Sequence, residues 1–472
     1  VSQFYAPTGP ANVQFIVGYN GTANVRIATG DLGGVGASSL NGLSDVLIDT
    51  LSEYVGTVPA GLSGNSQNNT TLGISAGLDL TTGTQNTLIG NLAGENVTAQ
   101  FGTTAVGYKA GSSQNAESFN TYIGNEAGRD HTGSQSVFVG GGTRVFSSGQ
   151  SSNGVVAVGY NAHDQKAGAY SVAVGYGAGN QASGGDAIYI GRNAGRVNTA
   201  TGTMSIGFEA GYSQTSGTSN TNIGYQAGKN NTTSQGRTMV GNEAGTFQTG
   251  SQNTGIGRYA LRQGTGLQNT AVGHSAMVGN MLGSNYNTVV GYNAMSKNGA
   301  KNNNVIVGKD AARLMTTGST NTILGSQAGD NLTTGSNNIL IGYDATASAV
   351  DVSNEITLGD ANIATLRCQV QTISALSDSR DKTNVQPSPY GLDLISQLQP
   401  VTFDWNMRDG AKVGQKDLGF IAQELQEVDD ENLQLVYDNN PDRLEASYGR
   451  LIPVLVQAIK ELKAEVELLK NK

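Results

Sequence analysis

Short apolar runs punctuated by glycine recur along most of the chain. From residue 67 to 362 the unit is two or three apolar or β-branched residues, Gly, two variable residues, then Ala-Gly or Ala-x. Examples are Thr87-Leu88-Ile89-Gly90-Asn91-Leu92-Ala93-Gly94 and Thr322-Ile323-Leu324-Gly325-Ser326-Gln327-Ala328-Gly329. The key glycines run from Gly73 to Gly359 in eighteen copies, spaced 16 or 17 residues apart except for single gaps of 19 and 18. This period is too short for a helical repeat or a propeller blade. It suits one coil of a β-solenoid, with two short strands and two turns. Alternate side chains of each strand then face inward, and β-branched residues fit that pleat. The glycine supplies a bend or a positive φ, and segments such as Thr317-Gly318-Ser319-Thr320-Asn321-Thr322 are turn chemistry. At ~4.8 Å per coil the array predicts a rod of roughly 80–90 Å.

The flanks break this pattern. Residues 1–66 read as an attachment or joining segment. Val13–Val17 and Asn24–Ile27 predict short strands around a turn at Gly18–Gly21. Leu40–Leu51 has apolar residues at helical spacing, with Ser44 as N-cap, and predicts a helix. Residues 363–376 form a neck with a strand-like apolar run, Ile363–Ile373. The segment 377–472 reads as a small α+β domain. It ends in a helix over 451–470, where Leu455, Ile459, Leu462, Val466 and Leu469 are spaced as a coiled-coil seam with charges between them.

Composition sharpens the picture. The chain has 472 residues with 67 Gly, 8 Pro and a net charge of -9. The acidic balance argues against a nucleic-acid-binding surface. Charged residues are about threefold denser after residue 377 than before it, which places a domain boundary there. The one cysteine, Cys368, excludes an intrachain disulfide framework. It reads as a buried thiol or a symmetric bridge between copies. No apolar run is long enough for a membrane span, and no signal peptide opens the chain. Each coil offers only three or four inward positions, a thin core for a single chain. Three chains packed along an axis would bury the remaining apolar face and cover sheet edges.

Candidate chemistry is sparse in the repeats. His131, His163 and His274 lie far apart without metal-ligand spacing, and no metal or cofactor is expected. Asp186, Asp310, Asp344 and Asp360 make no glycosidase pair. Tyrosine often follows the repeat glycine, at 108, 160, 176, 225, 292 and 343. Such a stripe reads either as packing or as a surface for sugar or protein.

The tail is different. Ser377-Asp378-Ser379-Arg380-Asp381-Lys382, taken alone, reads as a helix cap and surface charges. Three further segments accompany it in order: Gly391–Trp405, Leu418–Leu425 and Tyr448–Leu455. Together they resemble the intramolecular chaperone family, peptidase S74, that ends phage tail spikes and fibres. The repeat region resembles, by style only, the β-roll heads of trimeric autotransporter adhesins, whose repeats are shorter. The chaperone resemblance implies a domain that trimerises, assembles the stalk before it and then cuts itself off. By that resemblance Ser377 is the nucleophile, Lys382 its general base and Leu376–Ser377 the scissile bond, with Asp378 and Arg380 completing the motif. The activity is then single-turnover autoproteolysis with no external substrate. A serine hydroxyl needs a base beside it, and a lysine serves when burial or a nearby cation such as Arg380 favours its neutral form.

The expected whole is mainly β: a trimeric β-solenoid rod of about eighteen repeats, then the α+β chaperone domain. The expected function is a bacteriophage tail fibre for host attachment, made in the host cytoplasm and carried on the virion. Its partners would be two further copies, phage tail or baseplate proteins and a host surface receptor, a glycan among the candidates. The alternatives are a bacterial cell-surface trimeric adhesin, which calls for a secretion signal and a membrane β-barrel anchor, and a polysaccharide-degrading tail spike, which calls for a carboxylate cluster.

Overall fold

The computed structural model describes residues 14–19, 24–29, 46–49, 51–112, 118–143, 152–165, 167–363, 365–367, 369, 377–408, 410, 412–438 and 440–471. The chain forms two compact units, residues 1–268 and 269–472. Both are built from the same β-solenoid coil.

In the first unit, Gln14–Tyr19 and Asn24–Thr29 pair as the hairpin that the sequence predicts. The expected helix over Leu40–Leu51 does not form where the chain is described. Val46–Asp49 is a strand, antiparallel to Ser52–Gly56. A run of three apolar residues, two of them β-branched, fits a pleat as well as a helix face, and the neighbouring strand decides the outcome. Ser52–Gly56 then pairs in parallel with Thr70–Gly73. The ladder thus starts one coil upstream of the first repeat glycine read from the sequence.

From there each coil contributes one short strand to a parallel ladder, with neighbours in identical register. Thr221–Ile223, for example, lies against Met204–Ile206 and Thr238–Val240. Only the centre of each strand is fully inward, as with Leu88, Tyr122, Phe138 and Met239. The expected second strand is mostly replaced by turns. It appears in a few coils, such as Phe247–Gln248 paired with Gln263–Gly264. The reason is local: left-handed residues recur around the coil, among them Glu209, Gln226 and Glu243 at φ near +50°, and these interrupt a regular strand.

The repeat glycine is required twice over. Gly224 sits at φ +128, and a Cβ there would lie 2.5 Å from the carbonyl oxygen of Gly241 in the next coil. A side chain would therefore meet both backbone strain and backbone atoms. Three residues on, Ala227 is fully buried, and its N–H closes a tight turn onto Gly224 O at 3.3 Å.

A second internal ladder is made of side chains. Four residues before many of the repeat glycines stands a buried asparagine. Asn304 Nδ2 donates to Asn287 Oδ1 at 3.0 Å and to Gly318 O at 3.1 Å. Its own Oδ1 accepts from Asn321 N at 2.9 Å and Asn321 Nδ2 at 3.1 Å. Asn338 repeats the pattern on Asn321, and in the first unit Asn86 does so on Asn69. These amides satisfy backbone groups that the turns leave unpaired in the interior.

Within the second unit, the coils from Thr270–Val272 to Ile356–Leu358 also pair in parallel, each in register with the next. The described residues of the neck carry no strand, and Cys368 lies outside them. The tail that follows is α+β. Helix α1 (Leu392–Gln397) precedes an antiparallel hairpin, Val401–Asn406 with Val413–Gly419. Helix α2 (Ala422–Gln426), a two-residue strand pair and the long helix α3 (Leu451–Lys470) complete it. Its core is small: Leu394, Leu425, Leu433, Leu435, Leu451 and Val454.

Candidate functional site

The motif Ser377–Lys382 folds as a single tight turn. Asp378 caps the 3₁₀ turn Ser379–Asp381, its carboxylate accepting from the backbone N–H of Arg380 at 2.9 Å. Arg380 folds back so that its Nε also donates to Asp378, 3.0 Å to Oδ1. The guanidinium hydrogen bonds hold the Asp378 carboxyl below its usual range and push the Arg380 guanidinium up. The cap reading and the motif reading are therefore the same geometry, because the cap shapes the turn.

That turn brings its two ends together. Lys382 Nζ donates to Ser377 Oγ at 2.6 Å. Five residues separate them in sequence, and the 3₁₀ turn closes the gap. A neutral amine at this distance would accept the serine proton, the arrangement that nucleophilic catalysis requires. Arg380 spends its charge on Asp378. Lys382 faces solvent in the single chain, as do all of residues 379–389. Leu376, the expected acyl side of the cut, lies outside the described residues.

The rest of the tail offers surfaces. Val454 and Ala458 of α3 face the domain and are buried, whereas Leu455, Ile459, Leu462, Val466 and Leu469 are all exposed, Ile459 at 65% and Leu469 at 69%. The helix thus docks on its own domain with one stripe and leaves the heptad seam bare. Glu461 joins α3 to α1, accepting from Leu392 N at 2.7 Å. That backbone bond, with Gln457 second, keeps its carboxyl below the usual range. Sequence reasoning placed Glu461 among the outer charges; only a spacing across 69 residues reveals its partner. Asp429 was also missed, and it binds Leu435 N at 2.8 Å and Val436 N at 2.9 Å.

The other candidates in the repeats are placed as follows. Tyr160 and Tyr176 are exposed and stack on each other at 5.6 Å. Phe208 stacks on Tyr225 at 5.2 Å, beneath the Arg192 guanidinium. His131 is buried, with its ring between the Tyr122 hydroxyl at 2.8 Å and Ser152 O at 2.9 Å. His163 bonds Gly179 O and the Ser171 hydroxyl. These two histidines serve the core. Among the described residues no group of three metal-binding side chains gathers, and no helix is long and apolar enough to cross a membrane.

Residues 377–434 match the model of the peptidase S74 family, described as the chaperone of endosialidase. The match opens on Ser377, takes in the Gly391–Trp405 and Leu418–Leu425 segments and stops before Tyr448. Two curated relatives are each 33% identical over 97 residues, which is 20% of this chain: the long tail fiber protein Gp37 of Enterobacteria phage K3 and that of phage T2. The alignments cover 8% and 7% of those proteins, so the chain spans less than a tenth of the curated relatives it matches. At its C-terminal end, then, the chain carries a segment similar to the endosialidase chaperone, and the Lys382–Ser377 pair stands at the start of it.

Proposed function

We propose that the chain is a homotrimeric phage tail fibre that attaches the virion to its host, assembled by a C-terminal chaperone domain that cleaves itself at Leu376–Ser377. The observation that carries this reading is the 2.6 Å contact of Lys382 with Ser377 at the first residue of the family match. Ser377 Oγ attacks the Leu376 carbonyl carbon while Lys382 takes the hydroxyl proton. The peptide C–N bond breaks, and the proton passes to the Ser377 nitrogen. Water then hydrolyses the resulting ester, leaving a Leu376 carboxylate and a released tail with Ser377 at its N-terminus.

A lysine base works when its amine is desolvated. In the single chain the turn is open to water, and the strand Val413–Gly419 is exposed at all but its last residue. Assembly supplies the missing cover. Three copies joined along the Leu455–Leu469 seam would bring neighbouring chains over these surfaces, coupling the cut to trimer formation. The relatives are long tail fiber proteins of phages, and that setting on the virion comes to this chain as part of the proposal.

The test is a denaturing gel of the expressed chain beside Ser377→Ala and Lys382→Ala. Two fragments from the wild type and one band from each variant are expected. One full-length band in all three lanes removes the peptidase claim. The chaperone claim fails separately if chains ending at Leu376 assemble as well as full-length ones.

A further inference from the structure

The three-residue strands of the ladder, Ile356–Leu358 excepted, bury their central residue and turn their two outer residues away from the coil interior. The second of these, immediately before the repeat glycine, is Ile, Val or Leu in all eighteen copies. Other outward columns are not so restricted. The first strand position holds Thr87, Met204 or Val305, and the position after the glycine holds Asn91, Tyr108, Arg192 or Lys309. The chain therefore accepts polar and charged groups elsewhere on its surface and excludes them from this one column. In the first unit Ile123, Ile190 and Ile256 are 39–41% exposed, and in the second Val307, Ile341 and Leu358 are 38–51% exposed.

We propose that this aliphatic column is the face by which copies of the chain pack on one another, parallel and in register, along the axis of the trimer. This assignment rests on the homotrimer reading above and adds the surface that makes it. Three features select a second copy as the occupant. The column repeats every coil, ~4.8 Å apart, and only a partner with the same spacing meets it continuously. It offers no hydrogen-bonding side chain, which disfavours a glycan. Seven of its eighteen members, four in the first unit and three in the second, are 38–51% exposed and the rest are half-buried, so each unit presents an aliphatic row with no polar break. The α3 seam is a second bare aliphatic row on the same chain, so the repeats and the tail present the same need.

The test uses the purified full chain with Cys368→Ser and one new cysteine at a time. Ile190→Cys lies in the column, and Ser183→Cys lies on an exposed turn of the same unit. Native mass is measured, then the rate of reaction with a charged maleimide. A mass of three chains with Ile190→Cys reacting at least tenfold more slowly than Ser183→Cys is expected. Three chains with equal rates, or with Ser183→Cys the slower, overturns the face assignment and leaves the trimer standing. A mass of one chain overturns both. Val307→Cys against Thr317→Cys repeats the comparison in the second unit, should Ile190→Cys prevent folding.

Discussion

Asn304→Ala isolates the asparagine ladder. The substitution removes four side-chain hydrogen bonds: two donated by Nδ2, to Asn287 Oδ1 and Gly318 O, and two accepted by Oδ1 from Asn321. It leaves the Asn321 backbone N–H buried without that acceptor. Four bonds at about 1 kcal/mol each, with an orphaned interior donor among the consequences, amount to roughly 4 kcal/mol of local stability. A repeat array distributes such a loss over nearest neighbours, so the assay must be local. Amide hydrogen exchange at Asn321 and Thr322 is expected to accelerate on the order of a thousandfold, as roughly 4 kcal/mol requires. Asn304→Ser is expected to fall between, because Ser136 at the equivalent place still accepts from Val155 N at 3.0 Å. Asn303→Gly, beside it on the exposed surface at φ +56, serves as the control. If exchange at Asn321 in Asn304→Ala stays within threefold of the control, the ladder is a consequence of the coil and not a support for it.

Burial lowers the His131 pKa from 6.5 to about 4, so the unfolded chain takes up the proton first. Stability of the coils around Tyr122 is expected to be level above pH 6.5. It should fall by on the order of 3 kcal/mol as pH drops to 4 and flatten below, with His131→Asn removing the slope in an exchange-versus-pH series. Arg237 is buried, with Nε and Nη1 unpartnered and its pKa pressed down to about 9 by burial. Arg237→Asn takes out an uncompensated interior charge at a ladder position and is expected to stabilise that region by about 1–3 kcal/mol; a lower unfolding midpoint would contradict this. Glu461→Ala removes the acceptor for Leu392 N and is expected to raise exchange in α1 while leaving the repeats unchanged.

The glycine period was legible because most copies answer the same backbone demand, positive φ and contact with the next coil's carbonyl. The asparagine ladder was in plain view, four residues before the glycine, yet Asn321 within Thr317–Thr322 read as turn chemistry. Asparagine suits both roles, and only burial separates them. Val46–Asp49 misled for the opposite reason. Its apolar spacing was genuine, but a strand pairing outside the run decided its form. In the tail, Ser377 and Lys382 were legible through the motif, and the 3₁₀ turn that joins them follows from Asp378 as its cap. The Glu461–Leu392 bond was not legible, since nothing local to either residue announces the other.

The two ladders carry different information. Inside a chain the order of coils is covalent, and the core varies from coil to coil: Tyr122 and Phe138 are large, Ala157 and Ala173 small. The outward aliphatic column is nearly uniform, so on the proposed packing a slip of one coil between copies would exchange Ile for Val and lose little. A displaced register keeps almost all of the contact and forfeits only one coil at each end. Alignment must then be fixed somewhere the pattern does not repeat. The tail is such a place, because the Leu455–Leu469 seam and the Ser377–Lys382 turn each occur once. A chain cut at Leu376 after alignment keeps its register with no means of finding it again, so its persistence becomes a matter of rate. Refolding cleaved repeats from denaturant should therefore give mixed, misaligned assemblies, whereas refolding uncleaved Ser377→Ala should return one species. Equal yields of a single aligned species from both would show that the repeats carry register themselves.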